Sequence, residues 1–421
     1  MRGSLRPPPD KSISHRAALI AAMGEGETAI EGYLDSADTR STLAAVAALG
    51  AEIEGASSGA IEPSLRIRGV GLRGATPARI DAGNAGTLLR LLPGWLAGQE
   101  AGAWTVDGDE SIRRRPVDRI VEPLRAMGAS LRCREERLPP LEIEGAPLHG
   151  VAYQLPLASA QVKSCLLFAG LLAEGETQIT EPHRTRDHTE RMLAAAGAEI
   201  ERRGEVLGVR AAGRLEPTMI AIPADFSSAA FFVLAALLVP GSDLRLDGVG
   251  LNPTRTGLLE ILERMGARVE VEPQGERGGE PIGRLRVRAS DLRGVEVGGA
   301  EVPLAIDELP LVALAACFAE GRTRIGDAAE LRRKESDRIA AVSEALGALG
   351  GEVEASADGM QIEGTGGLRG GAIRSHGDHR IAMLGAIAGL ASRQGVEVEG
   401  IEDAAVSYPG FEADLASLSG R

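Results

Sequence analysis

The chain has 421 residues, 44% hydrophobic and 25% charged, with a net charge of −14. This is ordinary globular composition, so a disordered chain is excluded, and the acidity argues against general nucleic-acid binding. No apolar run reaches the roughly 18 residues of a membrane span. Met1 to Pro9 holds two Arg and no apolar stretch, so no secretory signal is expected. Cys133, Cys165 and Cys317 are scattered and fit neither a disulfide framework nor a zinc spacing, which predicts a reduced, cytoplasmic protein.

In chain order, a similar unit begins six times, at spacings of about 70 to 80 residues. The starts are Lys11-Ser-Ile-Ser-His-Arg, Asn84-Ala-Gly-Thr-Leu-Leu-Arg, Ser159-Ala-Gln-Val-Lys, Ser227-Ser-Ala-Ala-Phe, Asp307-Glu-Leu-Pro and Asp378-His-Arg-Ile. Each opens with a small polar or charged cluster and runs into an apolar helix pattern. A Gly turn and a strand follow, as in Gly24-Glu-Gly-Glu-Thr-Ala-Ile. A second helix then ends at Gly50, Gly128, Gly197, Gly266 or Gly350, where only glycine enters the left-handed region cheaply. The first helix of each unit is apolar nearly all round, as in Ala229–Leu238, which predicts burial. Helices inside and sheets outside reverse the usual α/β sandwich. Six units divide into three plus three, with a boundary near Ile222-Pro-Ala-Asp225.

The polar clusters stand at helix starts, where unpaired N–H groups and the dipole favour anions. Lys11, Arg16, Arg113 to Arg115, Arg332 to Lys334, Arg338 and Arg380 add positive charge there. Small anionic ligands are the expected targets. Only three of the 46 basic residues are lysines, Lys11, Lys163 and Lys334, and each reads either as a position where a compact, titratable ammonium is needed or as a chance survivor on the surface. Ser12, Ser159 and Ser227 read equally as helix caps or as ligand contacts. Asp307 reads as a cap or as a general base. Lys334-Glu335 reads as a helical ion-pair face or as a cation beside a proton-transferring carboxylate. The histidines show no metal spacing, and neither metal nor cofactor is expected.

At these residues the chain resembles the 5-enolpyruvylshikimate-3-phosphate (EPSP) synthase family. The matching stretches are Asp10-Lys-Ser-Ile-Ser-His-Arg16, Gly83-Asn-Ala-Gly-Thr87, Arg114-Arg-Pro116, Leu157-Ala-Ser-Ala-Gln-Val-Lys-Ser164, Leu251-Asn-Pro-Thr-Arg-Thr256, Ile306-Asp-Glu-Leu-Pro310, Leu331-Arg-Arg-Lys-Glu-Ser-Asp-Arg338 and Asp378-His-Arg380. They follow the family's order across nearly the whole chain. The resemblance implies an inside-out α/β barrel in two domains, each of three βαβαββ units with buried parallel helices and outer sheets. The expected domains are residues 10–224 and 1–9 plus 225–421, with the active site in the cleft between them and closure on the ligands. A monomer is implied.

The implied reaction moves the enolpyruvyl group of phosphoenolpyruvate to the 5-hydroxyl of shikimate 3-phosphate, by addition and elimination, with phosphate leaving. Roles follow residue by residue. Lys11 touches both substrates, its ammonium sits where charge develops, and it is a catalytic candidate beside Asp307 and Glu335, as an alternative carrier of the proton to carbon. Ser12, Arg16, Ser159, Ala160, Gln161, Arg186 and Lys334 surround shikimate 3-phosphate. Asn84, Gly86, Arg115, Gln161, Arg338, His379 and Arg380 surround phosphoenolpyruvate. Asp307 takes the 5-hydroxyl proton, and Glu335 exchanges the proton at the methylene carbon.

Some positions depart from the family pattern. Pro9 replaces the usual glycine before Asp10-Lys-Ser, which stiffens that joint. Ala160 stands where many members carry a second serine, so one hydroxyl contact is lost. Ala405-Val-Ser-Tyr-Pro409 lacks a lysine that some members place there. Two rival readings are the UDP-N-acetylglucosamine enolpyruvyl transferase and a non-catalytic repeat scaffold. The first needs a loop cysteine, where this chain has Glu110. The second has no use for Asp307, Glu335 and Lys334 among arginines.

Overall fold

A computed structural model describes residues 1–55 and 64–420. The chain divides into two compact units. Pro9–Ile222 with Arg277–Glu280 form one, here the N-terminal unit. Met1–Pro8, Pro223–Glu276 and Pro281–Arg421 form the C-terminal unit. The grouping of Arg277–Glu280, the turn of a long hairpin, with the N-terminal unit has no signal in the sequence pattern.

Both units are mixed α/β. In the N-terminal unit one sheet runs Met219–Ala221, Glu27–Glu31, Ser64–Arg68, Glu52–Glu54. Its first pair is parallel and the others antiparallel. The same order and directions recur in Arg79–Asp81, Ala103–Asp107, Leu138–Glu144, Ser130–Arg134. They recur again in Ala152–Gln154, Glu176–Thr180, Val206–Arg210, Ile200–Arg203. In the C-terminal unit, Arg2–Leu5 lies parallel to Asp243–Gly250 and Glu296–Val297 parallel to Glu320–Ile325, each in a four-stranded sheet. Gly371–Arg374 and Val396–Glu399 make a parallel pair alone. No sheet order closes into a barrel among the described residues. The strands alternate as their sequences dictate: Glu27–Glu31 buries Thr28 and Ile30 and exposes both Glu ends.

The helices that matter for the site are α1 (Lys11–Met23), α2 (Gly86–Ala97), α3 (Ala160–Gly170) and α4 (His188–Ala195) in the N-terminal unit. In the C-terminal unit they are α5 (Phe226–Leu238), α6 (Leu309–Phe318), α7 (Arg338–Ala348) and α8 (His379–Ala391). Their apolar circumference is buried: in α5 every residue but Leu238 is inside. Small residues let the helices approach. A Cβ on Gly94 of α2 would lie 2.1 Å from the carbonyl oxygen of Cys165 in α3, so only glycine fits. The starts of α2 and α3 also meet, where Gln161 lies within hydrogen-bond reach of Thr87 and Arg90. The five predicted helix-ending glycines, Gly50, Gly128, Gly197, Gly266 and Gly350, all have φ between +88° and +105°. Among the described residues no helix is long and apolar enough to cross a membrane.

Candidate active site

In the N-terminal unit the cations gather at helix starts. Asp10 caps α1 by accepting from the Ile13 N–H at 2.8 Å. Ser12 is therefore not the cap; it lies half-buried in the first turn, free for another use. Lys11 Nζ lies 3.1 Å from Asp38 Oδ2. Arg16 is buried and donates Nε to Thr189 Oγ1 at 2.7 Å, Nη1 to the Ser12 carbonyl at 2.9 Å and Nη2 to Ser164 Oγ at 3.0 Å. Burial, then the like charge of Arg186, pushes its pKa down to about 10. His15 is pushed down to about 3, chiefly by burial, so it is neutral beside Thr42 Oγ1 at 2.6 Å.

A second run of contacts starts at α2. Asn84 Oδ1 accepts from Arg115 Nη2 at 2.8 Å, and a Cβ on Gly86 would meet Arg115 Nη1 at 2.7 Å. Arg90, one turn on, donates Nη1 to Gln161 Oε1 at 3.0 Å. Gln161 Nε2 reaches Thr87 Oγ1 at 3.3 Å. Ser159 is the cap of α3, and its Oγ accepts from the Val162 N–H at 3.5 Å. Ala160 follows it with no polar side chain to offer. Arg113 and Arg114 are not part of this set. Both are exposed, held by Asp107 and Glu110 respectively. Arg115 alone of that triplet is buried.

The C-terminal unit centres on Asp307. Its Oδ1 lies 3.4 Å from both Lys334 Nζ and Arg338 Nη1. Its Oδ2 lies 3.8 Å from Arg255 Nη1 and 3.9 Å from Arg380 Nη2, while Arg380 Nη1 donates to its carbonyl at 3.1 Å. Asp307 is not the helix cap; Glu308 occupies that position of α6. Glu308 is fully buried and accepts from Ser227 Oγ and from Arg255 Nη1, the latter at 3.0 Å. Asp225 caps α5, so Ser227 too is not a cap.

Lys334 and Glu335 do not share a helix. A 3₁₀ turn, Ala329–Arg333, ends before them and α7 starts at Arg338. Glu335 bends back to accept from Arg338 Nη2 at 2.5 Å. Arg332 turns instead to Asp337 at 2.6 Å. Arg338 also grips Asp378, the cap of α8, whose next residues are His379 and Arg380. Burial disfavours the charge on Arg338, but Asp378, Glu335 and Asp307 outweigh it and hold its pKa above the usual value. Burial likewise opposes the Asp378 charge, and Arg338 still keeps that carboxyl below its usual range.

Asp38, Arg90, Arg255 and Glu308 were not singled out by sequence reasoning. Arg90 had a signal, a lone charge inside Leu88-Leu-Arg-Leu-Leu92. Glu308 and Arg255 sat within the quoted stretches Ile306–Pro310 and Leu251–Thr256, with nothing to set them apart there. Asp38 had none. Among the described residues no group of three or more His, Cys, Asp or Glu could hold a metal ion. Cys165 and Cys317 are buried, and burial raises both thiols, Cys317 to about 12.

Fold and site together define a mixed α/β protein whose helix starts gather arginines and lysines, with carboxylates set among them. A family model of EPSP synthase (3-phosphoshikimate 1-carboxyvinyltransferase) matches residues 1–415. A 3-phosphoshikimate 1-carboxyvinyltransferase of Acidithiobacillus ferrooxidans is 50% identical over 422 residues, covering 100% of this chain and 96% of that one. One from a Synechococcus species is 50% identical, over 99% of this chain and 94% of that one. A solved EPSP synthase from Acinetobacter baumannii superposes with a TM-score of 0.86 at 43% identity, covering 99% of this chain and 95% of that one. The chain belongs to the EPSP synthase family.

Proposed function

We infer that the two cation sets divide the work of one reaction. As a member of the EPSP synthase family, the chain transfers the enolpyruvyl group of phosphoenolpyruvate to shikimate 3-phosphate in the shikimate pathway. In our reading Ser12, Arg16, Ser159, Ala160, Gln161, Arg186 and Lys334 line the shikimate 3-phosphate site. Asn84, Gly86, Arg115, Gln161, Arg338, His379 and Arg380 take phosphoenolpyruvate, and Lys11 meets both substrates. Asp307 accepts the 5-hydroxyl proton as the oxygen bonds to C2 of phosphoenolpyruvate. A proton is added at C3 to give a tetrahedral adduct. Loss of a C3 proton and of phosphate then restores the double bond, with Glu335 exchanging the C3 proton. Arg115, Arg338 and Arg380 clamp the carboxylate and phosphate of phosphoenolpyruvate in this reading, with Lys334 reaching the ligands, and each charge-assisted bond contributes about 1.5–3 kcal/mol.

The observation that carries this reading is Asp307, one carboxylate with four cationic side chains within 4 Å. A scaffold gains nothing from such a centre. Glu110, where the nucleotide-sugar transferase needs a cysteine, is exposed and paired with Arg114, which supports the shikimate 3-phosphate acceptor.

We further propose that the recurring sheets and buried helices are six βαβαββ units, three per domain, of an inside-out α/β barrel. The proposed domains are residues 10–224 and 1–9 plus 225–421, which close on the substrates. Three unpaired thiols fit a cytoplasmic protein, and we propose that it acts as a monomer. The test is phosphate release from phosphoenolpyruvate with shikimate 3-phosphate or UDP-N-acetylglucosamine as acceptor. Release with the former alone is expected. Release with the nucleotide sugar alone overturns the reading.

A further inference from the structure

Of the three lysines, Lys11 and Lys334 stand in the two cation sets, and Lys163 stands in neither. It lies on α3, fully buried. Its Nζ is 3.1 Å from Glu181 Oε1 and 2.8 Å from Glu190 Oε1, and it donates to the Thr185 carbonyl at 3.3 Å. Arg202, from the strand Ile200–Arg203, closes the group by donating Nη2 to Glu181 Oε2 at 2.9 Å. Two cations and two carboxylates thus balance, with Lys163 and Glu181 out of water and Arg202 partly exposed; a lone buried ammonium would be strongly disfavoured.

The group converges on one loop residue. Glu181 accepts from the Thr185 N–H at 3.2 Å and from Thr185 Oγ1, while Lys163 takes the Thr185 carbonyl. All the polar groups of Thr185 are therefore held, and the next residue is Arg186. On the other side, Lys163 pairs with Glu190 of α4. The preceding residue, Thr189, bonds Arg16 Nε and also Ser164 Oγ at 2.7 Å. Lys163 and Ser164, adjacent on α3, thus reach the supports of Arg186 and of Arg16. Arg186 is near enough for its like charge to help lower the Arg16 pKa, so keeping both charges there needs a rigid support. An ammonium gathers its three oxygens around a single nitrogen, whereas a guanidinium spreads its donors over the edge of a larger plane.

We propose that Lys163 is a positioning residue: through Glu181, Thr185 and Glu190 it holds Arg186 beside Arg16 as a preformed seat for shikimate 3-phosphate. This rests on the site reading above.

The test uses the full chain, with shikimate 3-phosphate binding followed by calorimetry and both KM values measured. In Lys163→Met, losing one aligned charged contact should raise the Kd and KM for shikimate 3-phosphate about tenfold, with KM for phosphoenolpyruvate within about twofold. An unchanged shikimate 3-phosphate Kd, or an equal rise in both KM values, overturns the proposal. Should that variant not fold, Thr185→Val decides, since it removes the hydroxyl and leaves every charge. It should weaken shikimate 3-phosphate several-fold, while Thr185→Ser stays near wild type. Wild-type affinity in Thr185→Val overturns the proposal. A wild-type protein that binds no shikimate 3-phosphate overturns the site reading as well, whereas failure of the variants alone overturns only the role of Lys163.

Discussion

Arg338 and Asp378 form a two-pronged pair, Nε to Oδ2 at 2.8 Å and Nη2 to Oδ1 at 3.1 Å, with both side chains buried. The grip fixes the guanidinium plane, which leaves Nη1 facing Asp307 and lets Nη2 also serve Glu335. Lysine carries the same charge but not the fork. Arg338→Lys should therefore lower kcat/KM for phosphoenolpyruvate by about a hundredfold or more, the cost of breaking a buried pair being about 3–5 kcal/mol. Steady-state kinetics with phosphoenolpyruvate varied checks this.

Asp307→Ala removes the proposed base. Turnover should fall by about two to four orders of magnitude, the usual contribution of a general base. Shikimate 3-phosphate binding should stay measurable by calorimetry. Near-normal turnover in this variant would sink the base assignment.

Gly86→Ala would press a methyl group onto Arg115 Nη1 and, at 3.2 Å, onto Arg90 Nη1. The Arg115 guanidinium must move, so KM for phosphoenolpyruvate should rise about tenfold, the loss of one charged contact. The Kd for shikimate 3-phosphate, read by titration, should move little.

His15 makes stability depend on pH. Its pKa is held down to about 3 in the fold, chiefly by burial, against about 6.5 in the unfolded chain. The unfolded state therefore binds the proton first as pH falls. The stabilisation is complete above about pH 6.5 and is lost toward pH 3, at about 1.4 kcal/mol per pH unit. His15→Gln should flatten this slope. Urea unfolding at pH 7.5, 6 and 5 checks it, and equal slopes for variant and wild type would refute it.

Much of the molecule was legible because its signals are local. The helix-ending glycines, the all-apolar helices and the polar starts each depend on a few neighbouring residues. Which residue caps a helix was less legible. Ser12 and Ser227 stand near Asp10 and Asp225, and a carboxylate two residues earlier takes the N–H groups instead. The Lys334-Glu335 stretch left two readings open for a similar reason: its charge pattern fits a helical ion-pair face, but the chain is not helical there and Glu335 returns to Arg338.

Spacing and residue type were enough for most element types, for the polar clusters at the helix starts and for the family resemblance. Only the tertiary structure decided which charges work together. Arg90 meets Gln161 across 71 residues, Arg255 meets Glu308 across 53, and Arg338 meets Asp378 across 40. It also separated Arg115 from Arg113 and Arg114, and it enclosed Lys163 between two carboxylates. Coulomb energy depends on distance and burial, and neither is written in the order of residues along the chain.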